Sequence, residues 1–106
     1  MLNDKENQIS CIRGLFDTDG SIYRRYKTKK YAVVQFKLMS DYAINQIKET
    51  LNKLDIYTTK IGLADSYYVV RITSQKEIDK FFEIIKPNNK WHVNRYLKIR
   101  SEPDGI

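Results

Sequence analysis

The sequence predicts an α+β fold, αββαββα in order: a four-stranded antiparallel sheet with helices on one face. Three observations predict it. Apolar residues recur at helical spacing in separate stretches, pairs of extended runs lie between them, and each pair leads directly into a helix signal. With 106 residues there is room for one modest core burying roughly 65% of the unfolded surface. Residues 1–100 are therefore expected to form one domain, and 101–106 a disordered tail.

Ile9, Ile12, Leu15 and Phe16 share one face of a first helix ending near Asp19. A polar lead-in, residues 4–8, offers Asp4 or Asn7 as cap, and Gly14 is expected to open a gap on the apolar face for another backbone. Gly20 then releases the chain. Ile22–Tyr26 and Tyr31–Leu38 form a hairpin around Lys27-Thr28-Lys29-Lys30. In its second strand Ala32, Val34, Phe36 and Leu38 alternate with Tyr31, Val33, Gln35 and Lys37, leaving a polar side for a ligand. Ser40 and Asp41 open a helix with Ile44, Ile47, Leu51 and Leu54 inward. A second extended pair, Ile56–Leu63 and Tyr67–Thr73, is joined by Ala64-Asp65-Ser66 and puts Arg71 opposite the core. Ser74-Gln75-Lys76-Glu77 has the form of a capping box, starting a helix with Ile78, Phe81, Phe82 and Ile85 inward and Pro87 as its stop. Residues 88–100 form a short basic helix.

Nineteen Lys and Arg against thirteen Asp and Glu give a net charge of +6, which favours a polyanionic partner. The charge is unevenly spread. Between Ser21 and Ser40 there are six basic residues and no acid. Cys11 is the only cysteine, so no intramolecular disulfide forms. No run approaches the ~18 apolar residues of a membrane span, and the polar start is no signal peptide. These features predict an intracellular protein with no membrane partner, cytoplasmic in a prokaryote or else organellar.

Asp17 and Asp19 stand two apart at a helix C-terminus, where partial negative charge disfavours a carboxylate unless a cation joins it. Being two apart, they do not share a helical face. One is expected to serve the structure and the other to point out. An EF-hand is excluded, because Ser21, Tyr23 and Arg25 follow and no Glu closes the loop.

Ile12-Arg13-Gly14-Leu15-Phe16-Asp17-Thr18-Asp19-Gly20 resembles the signature of the LAGLIDADG homing endonucleases, the match resting on Gly14, Leu15, Asp17, Asp19 and Gly20. Arg13 departs from the small residue usual at its position, and is acceptable where it points away from the helix pair. The resemblance implies a sequence-specific endonuclease that hydrolyses both strands of double-stranded DNA with Mg2+ or Mn2+, and no small-molecule substrate. Asp19 is the implied catalytic metal ligand, helped by the Thr18 carbonyl, and Asp17 is assigned to the helix end. Lys90, or Lys86 in its place, is the implied active-site lysine, and Ser40 or Asp41 the polar group that orients water. Arg24, Arg25, Lys27, Gln35, Lys37 and Arg71 are implied to face DNA. Only one signature is present, so a homodimer is implied, built around Ile12, Gly14, Leu15 and Asp17. The alternative is a non-catalytic DNA-binding or RNA-splicing, maturase-like derivative of the same fold. His92 has no metal-ligand neighbours in sequence and is expected to be structural or exposed. Tyr23, Tyr31, Tyr57 and Trp91 are expected to pack rather than stack on bases.

Overall fold

Asp4 caps the first helix by accepting the Asn7 amide at 2.8 Å, so that helix starts inside the polar lead-in. The computed structural model describes residues 4–24 and 31–101. Its elements are α1 Lys5–Asp19, β1 Gly20–Arg24, β2 Ala32–Leu38, α2 Asp41–Lys53, β3 Gly62–Ala64, β4 Tyr67–Ile72, α3 Gln75–Ile85 and α4 Lys90–Ser101. The expected hairpin loop, with Arg25 and Lys27, lies outside the described residues, as does the tail beyond Ser101.

The strands form one antiparallel sheet in the order β1-β2-β4-β3. Its inner face, with Ile22, Val34, Phe36, Val70 and Ile72, packs against Ile12 and Phe16 of α1, Ile44, Ile47 and Leu51 of α2, Ile78, Phe81 and Ile85 of α3, and Ile99 of α4. The helices thus cover one face, as the alternation predicted. Phe16 is at the centre, with ring centroids 5.0 Å from Phe81, 5.8 Å from Phe36 and 6.0 Å from Phe82.

Two expectations fail locally. The third strand is only Gly62–Ala64, because residues 56–59 ahead of it bond mainly to α2 and α3 and meet β4 only where the Thr59 amide reaches the Arg71 carbonyl. The Tyr57 amide donates to the Glu77 carboxylate at 2.8 Å, and Lys48 Nζ holds the Thr58 hydroxyl at 2.8 Å and the Thr59 carbonyl at 2.9 Å. For the same reason the capping box does not form. Ser74 is at the N-cap of α3 without a side-chain bond, and Glu77 turns to Tyr57 and Lys80 instead. The β3–β4 turn places Asp65 and Ser66 at φ 51° and 73°, the left-handed pair whose twist matches a two-residue hairpin.

Gln75 accepts the Ala32 amide at 2.8 Å and donates to the Ala32 carbonyl at 3.0 Å, fixing the start of β2 against α3. Tyr96 of α4 stacks on Phe82 at 3.9 Å and donates to Asp79 at 2.7 Å, and Arg100 pairs with Asp79 at 3.0 Å. Burial, then the bond and charge of Asp79, push the Tyr96 phenol up to about 12. These contacts dock α4 on α3.

Candidate active site and sheet face

The stretch Ile12–Gly20 is the last part of α1 and its exit into the sheet. Ile12 and Phe16 point into the core, so Ile12, expected at a dimer surface, is spent inside the chain. Gly14 does not lie on that apolar face either. Spacings of four and seven residues put it with Asn7, Ser10 and Thr18 on the exposed side, where a Cβ would meet nothing within 4 Å. Leu15 is half-buried. Gly20 has an extended backbone, and its need for glycine is contact: a Cβ would stand 2.3 Å from the Phe16 ring and 2.9 Å from the Phe16 backbone.

The two acids separate as their spacing suggested. Asp17 accepts the Asn88 amide at 3.0 Å and the Asn89 amide at 2.9 Å, and its own carbonyl accepts the Asn89 side chain at 2.9 Å. Asn89 in turn accepts the Trp91 and His92 amides at 3.0 and 3.2 Å, capping α4. The helix-end mismatch at Asp17 is thereby relieved by the N-terminus of α4, not by a cation. Its carboxylate is held by backbone amides of its own chain. Asp19 is exposed, and its only hydrogen bond among the described residues is from the Thr18 hydroxyl at 3.3 Å. It pairs with no cation there.

The Asp17 anchor brings the segment with Lys86 and Lys90 to the end of α1 that carries Asp19. Lys86 is the left-handed cap of α3 at φ 51°, and Lys90 is the first residue of α4; both are exposed. Arg13 lies away from the exposed side and donates to the Ile85 carbonyl at 2.7 Å. It supplies the cation that the last turn of α3 lacks. Ser40 is committed to capping α2, accepting the Ala43 amide at 3.1 Å, and Asp41 accepts the Asn45 side chain at 2.8 Å.

His92 is buried, with its ring 4.7 Å from Phe16 and its Nδ1 without a hydrogen-bond partner among the described residues. Burial lowers its pKa, against the opposing pull of Asp17 and of the Phe16 and Gly20 backbone.

The outer sheet face joins three of the expected polar residues. Gln35 and Arg71 are direct neighbours across β2 and β4, and Ser21 opposes Gln35 on β1. Arg71 Nε donates to Gln35 Oε1 at 2.9 Å, and the Tyr23 hydroxyl donates to the same oxygen at 3.5 Å. Lys37 lies over the Tyr67 ring at 4.8 Å. Arg24 departs from the expectation. Strand alternation puts it on the side of Ile22 and Ala32, under the helices, rather than in this polar row. Asn88, Asn89 and Thr59 were invisible as site residues in the sequence, since their partners are distant in the chain, and Tyr23, expected only to pack, also donates to Gln35.

Among the described residues no group of three or more His, Cys, Asp or Glu gathers into a metal cluster, and no helix is long and apolar enough to cross a membrane. A family model described as "LAGLIDADG-like domain" matches residues 6–86. The chain belongs to the LAGLIDADG-like family. The match contains Asp19 and the whole sheet but stops before Lys90. Among solved structures, the N-terminal LAGLIDADG domain of DUF199/WhiA is 24% identical with a TM-score of 0.67, covering 85% of this chain and 47% of that one. Full-length DUF199/WhiA from Thermatoga maritima gives 22% and 0.67, over 99% of this chain and 36% of that one. The homing endonuclease I-TnaI gives 19% and 0.57, over 87% and 68%. At these identities the likeness is one of fold, and this LAGLIDADG-like chain spans about half or less of the WhiA chains. No curated protein matches it.

Proposed function

We propose that this LAGLIDADG-like chain is a sequence-specific, divalent-metal-dependent DNA endonuclease that cuts both strands as a homodimer. The observation that carries the proposal is the contrast between the two acids. Asp17 is consumed by backbone amides of its own fold, while Asp19, two residues on, is exposed and pairs with no cation among the described residues, at a helix end that disfavours it. A carboxylate kept in such a place suits a hard cation. The Asp19 carboxylate and the Thr18 carbonyl are oxygen donors of the type Mg2+ or Mn2+ takes, with waters and substrate phosphate oxygens completing the shell. Bound there, the ion would lower the pKa of water and neutralise charge on the scissile phosphate.

The rest of the chain supports this role. Lys90, with Lys86 as the alternative, would hold positive charge near the reacting phosphate. Gln35, Lys37 and Arg71 would meet the DNA. A second Asp19 would come from a second copy packed on the exposed side of α1, where Gly14 leaves its backbone open. Beside that side, a groove of about 400 Å³ between α1 and α2, lined by Cys11, Leu15, Tyr42 and Gln46, would receive side chains of the twin.

The experiment is cleavage of a supercoiled-plasmid library bearing randomised sites, with and without Mg2+. Linear product from a near-palindromic subset, only with metal, is expected. Selective binding with no cutting in either Mg2+ or Mn2+ would instead favour the alternative of a DNA-binding or maturase-like derivative. That reading draws on the fold being shared by a homing endonuclease and by WhiA alike.

A further inference from the structure

We infer that Arg71, oriented by Gln35, reads a guanine in each half of the target site. The inference rests on the reading above that the outer sheet face meets DNA, and it assigns what that face selects. A glutamine ordinarily recognises adenine with its oxygen and nitrogen together. Gln35 has lost that ability. Its Oε1 accepts Arg71 Nε at 2.9 Å and the Tyr23 hydroxyl at 3.5 Å. Arginine carries donors and no acceptor, so the amide oxygen must face it and the amide NH2 is what remains for a ligand.

Arg71 is held from several sides. Its amide donates to the Thr59 hydroxyl at 3.0 Å, and its carbonyl accepts the Thr59 amide at 2.8 Å. Thr59 is tied to Lys48 of α2 at 2.9 Å. With Nε bound to Gln35, the two terminal amino groups of the guanidinium keep their planar fork and have no other partner among the described residues. Val33 and Val69 are buried on the same face, in the rows on either side, 3% and 2% exposed, so the fork stands on a dry floor where a hydrogen bond discriminates more sharply.

The face is rich in donors. Its outward residues on β1, β2 and β4 include no carboxylate, and Lys37 adds three donors. Cytosine presents only an exocyclic amino donor in the major groove, and adenine one acceptor beside a donor, so neither offers the fork two acceptors. Guanine presents two adjacent acceptors, O6 and N7, matching the fork bidentately.

The test is selection of duplexes from a randomised library by the full chain, followed by affinity measurements on the selected site. Wild type is expected to enrich sites with one fixed guanine per half. Arg71→Lys, which keeps the charge but not the fork, is expected to lose that preference by roughly 5- to 150-fold while other positions stay selected. Replacing that guanine by 7-deazaguanine is expected to weaken wild-type binding about tenfold, and inosine, which keeps O6 and N7, to leave it unchanged. The base substitutions need no variant to fold. No enrichment of any duplex overturns both this inference and the DNA reading. Enriched sites without a fixed guanine, or an unchanged guanine preference in Arg71→Lys, overturn this inference alone.

Discussion

Replacing Asp17 by Ala tests how α4 is anchored to the helix that carries Asp19. The substitution removes both carboxylate oxygens and so releases the Asn88 and Asn89 amides, held at 3.0 and 2.9 Å, while the bond from the Asn89 side chain to the residue 17 carbonyl survives. Two charge-assisted bonds at a helix N-terminus are lost. Fully buried they would contribute more, but Asp17 is half-exposed and water replaces part of the interaction, so the cost is about 2 kcal/mol. For a chain of this size that lowers the melting temperature by roughly 8–16 °C. Circular dichroism on heating measures the loss, and amide hydrogen exchange localises it to residues 88–92. Asp17→Asn should fall between, since one neutral oxygen can still accept. A melting temperature unchanged in Asp17→Ala, with Asn88 and Asn89 still protected, would refute the anchor.

Gly20→Ala should destabilise by about 1–3 kcal/mol in a urea titration, because the new Cβ meets the buried Phe16 ring and backbone; an unaffected midpoint would contradict the close contact. His92 holds its proton less tightly in the fold than the ordinary value of 6.5, chiefly through burial. The unfolded chain therefore binds more protons just below pH 6.5, so stability is full above that pH and declines as pH falls beneath it. His92→Phe should flatten this decline, and an identical slope would argue against it. Gly14→Leu should leave the monomer folded, since nothing lies within 4 Å of the added Cβ, yet abolish dimerisation and double-strand cutting; light scattering showing an unchanged dimer would oppose the proposed interface.

The fold was legible because its apolar periodicities are long and agree with one another, from Ile44 to Leu54 and from Ile78 to Ile85. Where local signals failed, a distant partner had outbid them. Glu77 completes a capping box in sequence, but the Tyr57 amide twenty residues away takes its carboxylate. The same partnership shortens β3. At the site, the signature identified Asp19, while the role of Asp17 became visible only through Asn88, 71 residues on. Gly14 lies between the apolar positions Ile12 and Phe16 in sequence, but helical geometry puts it on the other side, beside Thr18 and Ser10. Arg13 departs from the signature in sequence, and its partner, the Ile85 carbonyl, gives it a structural reason. Arg24 followed the basic run in sequence, yet one step of strand alternation separates it from the face of Gln35 and Arg71.

The proposal of a metal-dependent nuclease turns on the exposed carboxylate of Asp19, and Asp19→Asn is its most direct test. The variant keeps the shape of the side chain and removes one negative charge from a position outside the core. Supercoiled-plasmid cleavage in Mg2+ should fall at least about 100-fold, because metal charge stabilisation contributes several kcal/mol to phosphodiester hydrolysis. Affinity for the selected duplex should stay within about threefold, since the phosphate and base contacts come from other residues. A variant that still linearises the plasmid at near wild-type rate would contradict the assignment of Asp19 and the nuclease reading built on it.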